Sequence, residues 1–206
     1  MRVYFVRHGQ SELNASKRTQ LPETPLSPQG LDQAKFVADR FIHIPIEVII
    51  SSPMKRALQT ANSISTLTGS TVETNDMFIE RRPPSQLLGL SHDDPTGLEI
   101  RAAMRSNFND PDWHYSDEEN YADLKSRATQ ALEYLAGRKE ESILVVSHGN
   151  FIRTIIPTMA FGKNLTNQMG EVFINFLEIS NTGITMCDYH DQTWHLQTWN
   201  DYAHLG

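Results

Sequence analysis

The sequence predicts an α/β fold: a three-layer α/β/α sandwich whose sheet is mainly parallel, with an antiparallel edge strand. Short β-branched and aromatic runs, typical of buried strands, alternate with longer segments whose apolar residues recur at helical spacing. Near the C-terminus the alternation gives way to a pattern typical of a β-hairpin. No repeat, low-complexity segment or Pro/Gly/Ser-rich linker divides the 206 residues, so we expect a single domain over residues 1–206.

The first part of the chain alternates strands and helices. Ser27 followed by Pro28 is typical of a helix start, because serine caps the first turn and proline tolerates its first position. Ser51-Ser52-Pro53 opens a second helix in the same way. The predicted elements are a strand over Val3–Val6, a helix from Pro28 to about Phe41, a strand over Val48–Ile50, a helix over about Met54–Leu67 and a weaker strand at Val72.

The remainder begins with a segment of about residues 77–121 that is rich in proline and polar residues. We interpret this segment as a variable, cap-like insertion in the domain. The elements predicted from here on are helices over about Thr96–Asn109 and Tyr121–Arg138, a strand over Ile143–Val146, a helix after Gly149, and a hairpin that pairs Phe173–Ile179 with Ile184–Cys187 across the turn at Asn181-Thr182-Gly183.

Composition narrows the function classes. The net charge of −7 makes the chain a poor general binder of nucleic acid or anionic membrane, although a few arginines can still make one cleft basic. No apolar run is long enough to span a membrane, and the N-terminus does not resemble a secretory signal. Cys187 is the only cysteine, so no internal disulfide can form. We expect a cytoplasmic protein, monomeric or homodimeric.

Three predicted strands are each followed directly by a polar motif. These motifs are Arg7-His8-Gly9, Ser51-Ser52-Pro53 and Ser147-His148-Gly149. Ligands of open α/β sheets collect beyond the carboxyl ends of the strands, so the three motifs are expected to form one site.

The residue types in these motifs suit phosphoryl transfer. A neutral imidazole such as that of His8 can attack phosphorus, and His148 can donate a hydrogen bond to a phosphoryl oxygen as charge develops there. The guanidinium of Arg56, in the first turn of its helix, can engage two phosphate oxygens at once. Taken singly, each of these residues is more often structural than catalytic. Their combination at one sheet edge indicates a phosphoryl-transfer site.

Read together, the motifs resemble those of the histidine phosphatase superfamily, also called the phosphoglycerate-mutase-like family. The segment Arg7-His8-Gly9-Gln10-Ser11-Glu12-Leu13-Asn14 resembles the family's opening motif. The segment Leu26-Ser27-Pro28-Gln29-Gly30 is similar to the family's helix start. Ser51-Ser52-Pro53 with Arg56 resembles the second phosphate-contact segment, and Ser147-His148-Gly149 the second histidine. The motifs occur in the family's order and cover most of the chain.

The resemblance implies a set of roles. His8 would be the nucleophile, with Arg7, Arg56 and His148 around the phosphoryl group, and neither a metal nor a cofactor would be needed. Glu80 would be the proton donor, and Asp76 is a weaker candidate for that role. Asn14 would hold either a phosphate oxygen or the loop after His8. Gly149 and Arg81 complete the implied phosphate and substrate contacts, although Arg81 and Arg82 are equally consistent with solvated loop charges.

The resemblance favours a phosphomonoester hydrolase that acts on a small phosphorylated metabolite through a phosphohistidine intermediate. Mutases of the family are longer and carry His-Tyr-Gly after the acid and its arginine, whereas here Glu80-Arg81 is followed by Arg82-Pro83-Pro84. A cofactor-dependent phosphoglycerate mutase is the first alternative. A non-catalytic phosphate-ligand or protein-binding module on this fold is the second.

A metal-dependent hydrolase is a further alternative, from another class. It would use Asp188, His190, Asp191 and His195, whose spacing does not match a defined zinc site. A few other features have structural interpretations. Met104 and Phe108, four apart on one helical face, are expected to fill core or roof the site, and Asp117-Glu118-Glu119 to form a solvated helix start. His92 and His114 lie in the variable segment, and a role in substrate specificity is considered for both.

Overall fold

Six strands form one sheet at the centre of the molecule, in the order β3-β2-β4-β1-β5-β6. The computed structural model describes every residue from Met1 to Gly206. The strands are β1 (Arg2–Arg7), β2 (Val48–Ser51), β3 (Thr71–Thr74), β4 (Ser142–Ser147), β5 (Ile184–His190) and β6 (Thr193–Asp201). Strands β3, β2, β4 and β1 are parallel to one another. Strand β5 is antiparallel to β1, and β6 is antiparallel to β5. The predicted mainly parallel sheet with an antiparallel edge is confirmed.

Seven α-helices surround the sheet. They are α1 (Glu12–Ala15), α2 (Pro28–Phe41), α3 (Lys55–Thr68), α4 (Pro95–Ser106), α5 (Tyr121–Ala136), α6 (Gly149–Phe161) and α7 (Asn167–Phe176). The predicted start of α2 is confirmed, since the Ser27 side chain accepts a hydrogen bond from the backbone N–H of Gly30 and Pro28 follows the cap. None of the helices has both the length and the apolar character needed to cross a membrane.

The core consists of two apolar clusters, one on each face of the sheet. Side chains alternate between the two faces along a strand, so Val3 and Phe5 of β1 join one cluster while Tyr4 and Val6 join the other. Apolar residues of α5 and α6 complete the first cluster, and those of α2 and α3 complete the second. This arrangement is the three-layer sandwich that the sequence predicts.

The predicted hairpin was wrong in its first strand. The stretch Phe173–Ile179 largely belongs to α7, whose N-terminus is capped by the side chain of Thr166, and the hairpin is formed by β5 and β6 instead. Its turn uses Asp191 and Gln192, both with positive φ. Strand-favouring residues such as Val172 are helical here because capping and packing outweigh local propensity.

The expectation of a solvated helix start at Asp117-Glu118-Glu119 was also wrong for its two glutamates. Glu118 and Glu119 are 5% and 2% exposed, and α5 begins only after them, at the N-cap Asn120. The chain supplies partners for both buried carboxylates. Glu118 accepts the backbone N–H groups of Tyr115 and Ser116 at 2.6 and 2.8 Å, and Glu119 forms an ion pair with Arg127 at 2.7 Å.

The register of the parallel strands brings three strand ends level with one another. Arg7 of β1 lies opposite Ser147 of β4, and Ser51 of β2 lies opposite Val146. The hydrogen bonds continue one step beyond these pairs, because the His8 N–H donates to the Ser147 carbonyl oxygen at 3.0 Å and the Ser52 N–H donates to that of Val146 at 3.0 Å. The three motifs after the strands therefore meet at one edge of the sheet.

Candidate active site

His8 is buried at the carboxyl end of β1, and its hydrogen bonds define its tautomer. Its Nδ1 lies 2.7 Å from the Gly9 carbonyl oxygen, which can only accept, so Nδ1 carries the proton. The Nε of Arg56 donates to His8 Nε2 at 3.3 Å. Burial, followed by the charges of Arg56 and Arg7, holds the pKa of His8 well below its usual value. The imidazole is therefore neutral at physiological pH, with its lone pair on Nε2.

Several contacts fix the loop that carries His8. The Gly9 N–H donates to Thr60 Oγ1 at 3.1 Å, and the Asn181 side chain donates to the His8 carbonyl oxygen at 2.9 Å. The loop also lies directly on the first turn of α2, where a Cβ on Gly30 would come within 1.9 Å of the Gln10 carbonyl oxygen. Only glycine permits this approach of two backbones, which is the physical reason for glycine in this helix start.

His148 lies beside His8, with the ring centroids 4.9 Å apart. Its Nε2 is 2.8 Å from Ser52 Oγ, and this hydroxyl already accepts the Met54 N–H at 3.2 Å. The Ser52 hydroxyl can donate to Nε2 or accept from it, so this contact holds the ring without fixing which nitrogen carries the proton. The Nδ1 of His148 is buried without a partner. Burial, then the nearby cations, lower the pKa of His148 well below its usual value. The site thus contains a second buried imidazole beside the nucleophile, with one ring nitrogen that has no partner.

Two arginines lie close to this pair of histidines. Arg7 Nη1 donates to the Ile179 carbonyl oxygen at 2.6 Å, while its Nε is buried without a partner. Arg56 Nη1 donates to the Leu21 carbonyl oxygen at 3.0 Å. Burial, opposed by Glu80 and assisted by Arg7, lowers the pKa of Arg56 to about 10, which leaves it cationic at neutral pH. Neither guanidinium has a carboxylate partner, so both can bind an anion.

The carboxylate of Glu80 caps the N-terminus of α6. It accepts the backbone N–H groups of Arg81 at 2.8 Å, Phe151 at 3.2 Å and Asn150 at 3.3 Å. The first N–H groups of a helix have no partner within the helix, and the N-cap residue His148 supplies none for α6. Asp76, the second candidate for the proton donor, is exposed and does not line the cleft described next.

A cleft of about 330 Å³ opens above these residues. Its lining includes all the predicted residues except the two buried histidines. The lining residues are Arg7, Asn14, Arg18, Thr19, Gln20, Met54, Arg56, Glu80, Arg81, Pro83, His92, Gly149, Asn150 and Arg153. They include five arginines and a single carboxylate. The cleft is therefore basic although the chain as a whole is acidic.

The structure gives Asn14 both of the positions considered for it. Its Oδ1 accepts the Ser11 N–H at 3.4 Å and its N–H donates to Ser11 Oγ at 3.1 Å, which closes the start of α1 and fixes the loop after His8. Asn14 also lines the cleft. Arg81 is largely buried and its Nε donates to the Glu119 carbonyl oxygen at 2.9 Å, whereas Arg82 is exposed.

Sequence reasoning missed Arg18 and Arg127, and it assigned no individual role to Ser52 within its motif. Ser52 orients His148, and Arg18 adds a cation to the cleft. Arg127 of α5 donates to the carbonyl oxygens of Met77 at 2.7 Å and Ile79 at 3.0 Å, immediately before Glu80. No local pattern reveals these three roles, because each depends on a contact between segments distant in sequence.

The residues considered for a metal centre do not form one. Asp188 pairs with Arg2 at 2.7 Å, and the rings of His190 and His195 stack at 4.3 Å between centroids. No group of three or more histidine, cysteine, aspartate or glutamate side chains in the chain is arranged to hold a metal ion.

Comparisons with known proteins agree with this geometry. The family model for the histidine phosphatase superfamily (branch 1) matches residues 3–202. The chain is 29% identical to a metal-independent phosphoserine phosphatase of Arabidopsis thaliana, covering 99% of this chain and 83% of the relative. It is 30% identical to a probable phosphoglycerate mutase, GpmB, of Yersinia pestis, covering 100% and 95%. A phosphoserine phosphatase mutant from Entamoeba histolytica, solved in complex with phosphoserine, is 26% identical with a TM-score of 0.81, covering 99% and 98%.

Proposed function

The chain belongs to the histidine phosphatase superfamily and is an enzyme, and we propose that it hydrolyses phosphate monoesters of small metabolites through a phosphohistidine intermediate. One observation carries the proposal: a buried, neutral His8 keeps its lone pair on Nε2, next to two arginines without carboxylate partners. A lone pair on nitrogen, with cations placed for the phosphoryl oxygens, is what attack on phosphorus requires.

In the first step, His8 Nε2 attacks phosphorus from the side opposite the leaving oxygen. The N–P bond forms as the P–O bond to the leaving group breaks, and the Glu80 carboxyl group gives its proton to the departing oxygen. Arg7, Arg56 and His148 donate to the three non-bridging oxygens, where negative charge is greatest. As this happens, the hydrogen bond from the Arg56 Nε–H to His8 Nε2 is replaced by one from the same N–H to a phosphoryl oxygen.

In the second step, water releases the phosphoryl group from His8. The Glu80 carboxylate takes a proton from a water molecule, whose oxygen attacks phosphorus while the N–P bond breaks. Phosphate leaves, and His8 regains the lone pair on Nε2. The hydrogen bonds of Glu80 to the N-terminus of α6 support this role, because they hold its carboxylate at the rim of the same cleft.

The test compares His8→Ala with His43→Ala, since His43 is exposed and does not line the cleft. Free phosphate is measured from a panel of phosphate esters. We expect kcat for His8→Ala to fall by at least about 10³-fold, because the nucleophile is lost, and that of His43→Ala to remain unchanged. Hydrolysis by His8→Ala at near the parent rate would overturn the proposal.

A phosphoglycerate mutase is the second candidate, favoured by the relatives that carry that name. The panel therefore includes 3-phosphoglycerate, a ligand of one structural relative. Products are scored separately as free phosphate and as isomerised phosphoglycerate. Isomerisation that depends on a bisphosphoglycerate primer would identify a mutase, and free phosphate from several esters a phosphatase.

The proposed setting is the cytoplasm, with the protein monomeric or homodimeric and without nucleic-acid or membrane partners. The single, buried Cys187 and the net charge of −7 support this setting.

A further inference from the structure

The arginines of this protein fall into two groups. Arg2, Arg40, Arg127 and Arg138 each form an ion pair with a carboxylate. The other arginines form none, and all of them except the exposed Arg82 line the cleft or a second cavity next to it. Acidic side chains outnumber basic ones in the chain, 25 to 18, so a shortage of carboxylates does not explain the difference.

The second cavity, which we call the side chamber, has a volume of about 390 Å³. It shares two lining residues, Arg81 and Asn150, with the cleft, so the two spaces are neighbours. Arg101 connects them as well. It lines the side chamber and donates to Thr19 Oγ1 at 3.0 Å and to the His92 carbonyl oxygen at 3.3 Å, and both of these residues line the cleft.

The side chamber combines an apolar wall with positive charge. Met104 and Phe108, from and just after α4, and Ile174 of α7 provide the apolar surface. Arg81, Arg101 and Arg105 provide three cations, against the single carboxylate of Glu171. The Arg81 guanidinium lies 5.7 Å from the centroid of the Phe108 ring, so charge and apolar surface are in contact.

We propose that the side chamber is a subsite for the leaving group, and that it selects phosphate esters whose leaving group has an apolar stretch ending in a second anionic group. The inference rests on the proposed function, because it assumes that the phosphoryl group occupies the cleft beside His8. The apolar stretch would contact Met104, Phe108 and Ile174, and the terminal anion would be bound by Arg101 and Arg105, with Arg81 between the two spaces.

The charges of the arginines support an anionic occupant. Arg81 donates its Nε to a neutral carbonyl oxygen, and burial lowers its pKa despite the opposing effects of Glu119, Glu80 and Glu118. The Arg101 side chain donates only to neutral acceptors, and the side chain of the exposed Arg105 has no hydrogen bond or ion pair within the protein. Cations held near one another without counter-ions repel, and an anion between them relieves that repulsion.

The experiment uses phosphonates, which bind without turnover because a carbon replaces the ester oxygen. Hexylphosphonate and ω-phosphonohexanoate have the same chain and differ only in the terminal methyl or carboxylate group. Dissociation constants are measured by calorimetry at neutral pH, together with the corresponding pair with a propyl chain. We expect ω-phosphonohexanoate to bind roughly tenfold more tightly than hexylphosphonate, the effect of one hydrogen bond to a charged group.

Two variants assign that preference to the side chamber. Arg105→Gln should remove most of the preference for the carboxylate, while hexylphosphonate binds as before. The matched control is Arg82→Gln, an exposed arginine that lines neither cavity, and its preference should equal that of the parent. Phe108→Ala should weaken both six-carbon ligands by several-fold and the propyl pair less, because only the longer chains reach this wall.

Equal affinities for hexylphosphonate and ω-phosphonohexanoate would overturn the inference, as would equal losses of the preference in Arg105→Gln and Arg82→Gln. Neither result would affect the proposed function, which depends on turnover at His8. Conversely, failure of the parent to release phosphate from any ester would overturn the proposed function, while the phosphonate affinities would still report on the side chamber.

Discussion

The charge state of His8 follows from its surroundings in the folded chain. Burial removes the water that would stabilise an imidazolium, and the cations of Arg56 and Arg7 oppose a further positive charge. An acceptor of a phosphoryl group must present a lone pair, so these two effects prepare His8 for attack. The same arginines would stabilise the phosphoryl oxygens, and two side chains thus serve both purposes.

Replacing Arg56 should therefore change the titration of His8. In Arg56→Gln one of the cations that disfavour the imidazolium is gone, so the pKa of His8 should rise toward its ordinary value. NMR titration of isotopically labelled histidine nitrogens measures this directly. The exposed Arg82→Gln is the control and should leave the His8 titration in place. An unchanged or lower pKa of His8 in Arg56→Gln would contradict the electrostatic account.

Helix α5 holds the segment that carries Glu80. Arg127, on this helix, donates to the carbonyl oxygens of Met77 and Ile79, and its Nε and Nη2 each donate to a Glu119 carboxylate oxygen at 2.7 Å. Its guanidinium also lies 4.7 Å from the centroid of the Phe151 ring, at the start of α6. Arg127 is thus a positioning residue, which acts on the substrate only through Glu80.

The variant Arg127→Lys tests this role while keeping a charge for the buried Glu119. Lysine cannot reproduce the forked contacts, so Glu80 should be misplaced, with kcat reduced by about 10-fold to 100-fold and KM little changed. Since Arg127 acts through Glu80, adding Arg127→Lys to Glu80→Gln should cost no further activity.

Arg138→Lys is the matched control for this comparison. Arg138 also forms an ion pair with a glutamate, Glu73, but it does not line the cleft. The control variant should keep the parent kcat. If Arg127→Lys lowered kcat by the same factor in the parent and in Glu80→Gln, the two residues would be independent and the positioning role would be wrong.

Gly170 of helix α7 packs directly against Tyr121 of α5. A Cβ on the buried Gly170 would lie 1.9 Å from Cζ of Tyr121, whose ring is 1% exposed. Gly170→Ala should lower the free energy of unfolding by about 1–3 kcal/mol through overpacking, as measured by urea denaturation. Gly137→Ala, at negative φ with no atom within 3.4 Å of the new Cβ, should not destabilise. Equal stability of Gly170→Ala and the parent would show that α7 can shift.

At the scale of the whole molecule, two buried neutral histidines link stability to pH. His8 and His148 both have pKa values lowered by burial, so below their ordinary value of 6.5 the unfolded chain binds protons that the native chain does not. Stability rises with pH wherever the unfolded state binds more protons, and it therefore falls on acidification through this range.

We expect the free energy of unfolding to fall by roughly 3 kcal/mol between about pH 7.5 and about pH 5.5. Urea denaturation across this range measures it. His8→Gln removes one of the two groups and should reduce the pH dependence by about half, whereas the exposed His43→Gln should leave it unchanged. Stability independent of pH in the parent, or the same dependence in His8→Gln, would show that the buried imidazoles are not the cause.

Local patterns predicted elements well where capping and periodicity agreed with packing. The start of α2 at Ser27-Pro28 and the buried strands β1, β2 and β4 have boundaries within a residue or two of the predictions. Helix α7 was missed because Val172-Phe173-Ile174 favour a strand locally, while Thr166 and the packing of Gly170 on Tyr121 require a helix. The burial of Glu118 and Glu119 was missed because a run of acidic residues is usually solvated, whereas here Glu118 accepts the backbone N–H groups of Tyr115 and Ser116 and Glu119 pairs with Arg127.

The sequence by itself determined the α/β class, the strand ends that carry His8 and His148, and the family, since these depend on residues close together in the chain. Only the tertiary structure decided the tautomer of His8, the contact that holds the His148 ring, the capping of α6 by Glu80, the link from Arg127 to the Glu80 segment and the existence of the side chamber. The physical reason is that hydrogen bonds, desolvation and cavities depend on distances between side chains from separate elements, which local propensity and periodicity do not encode.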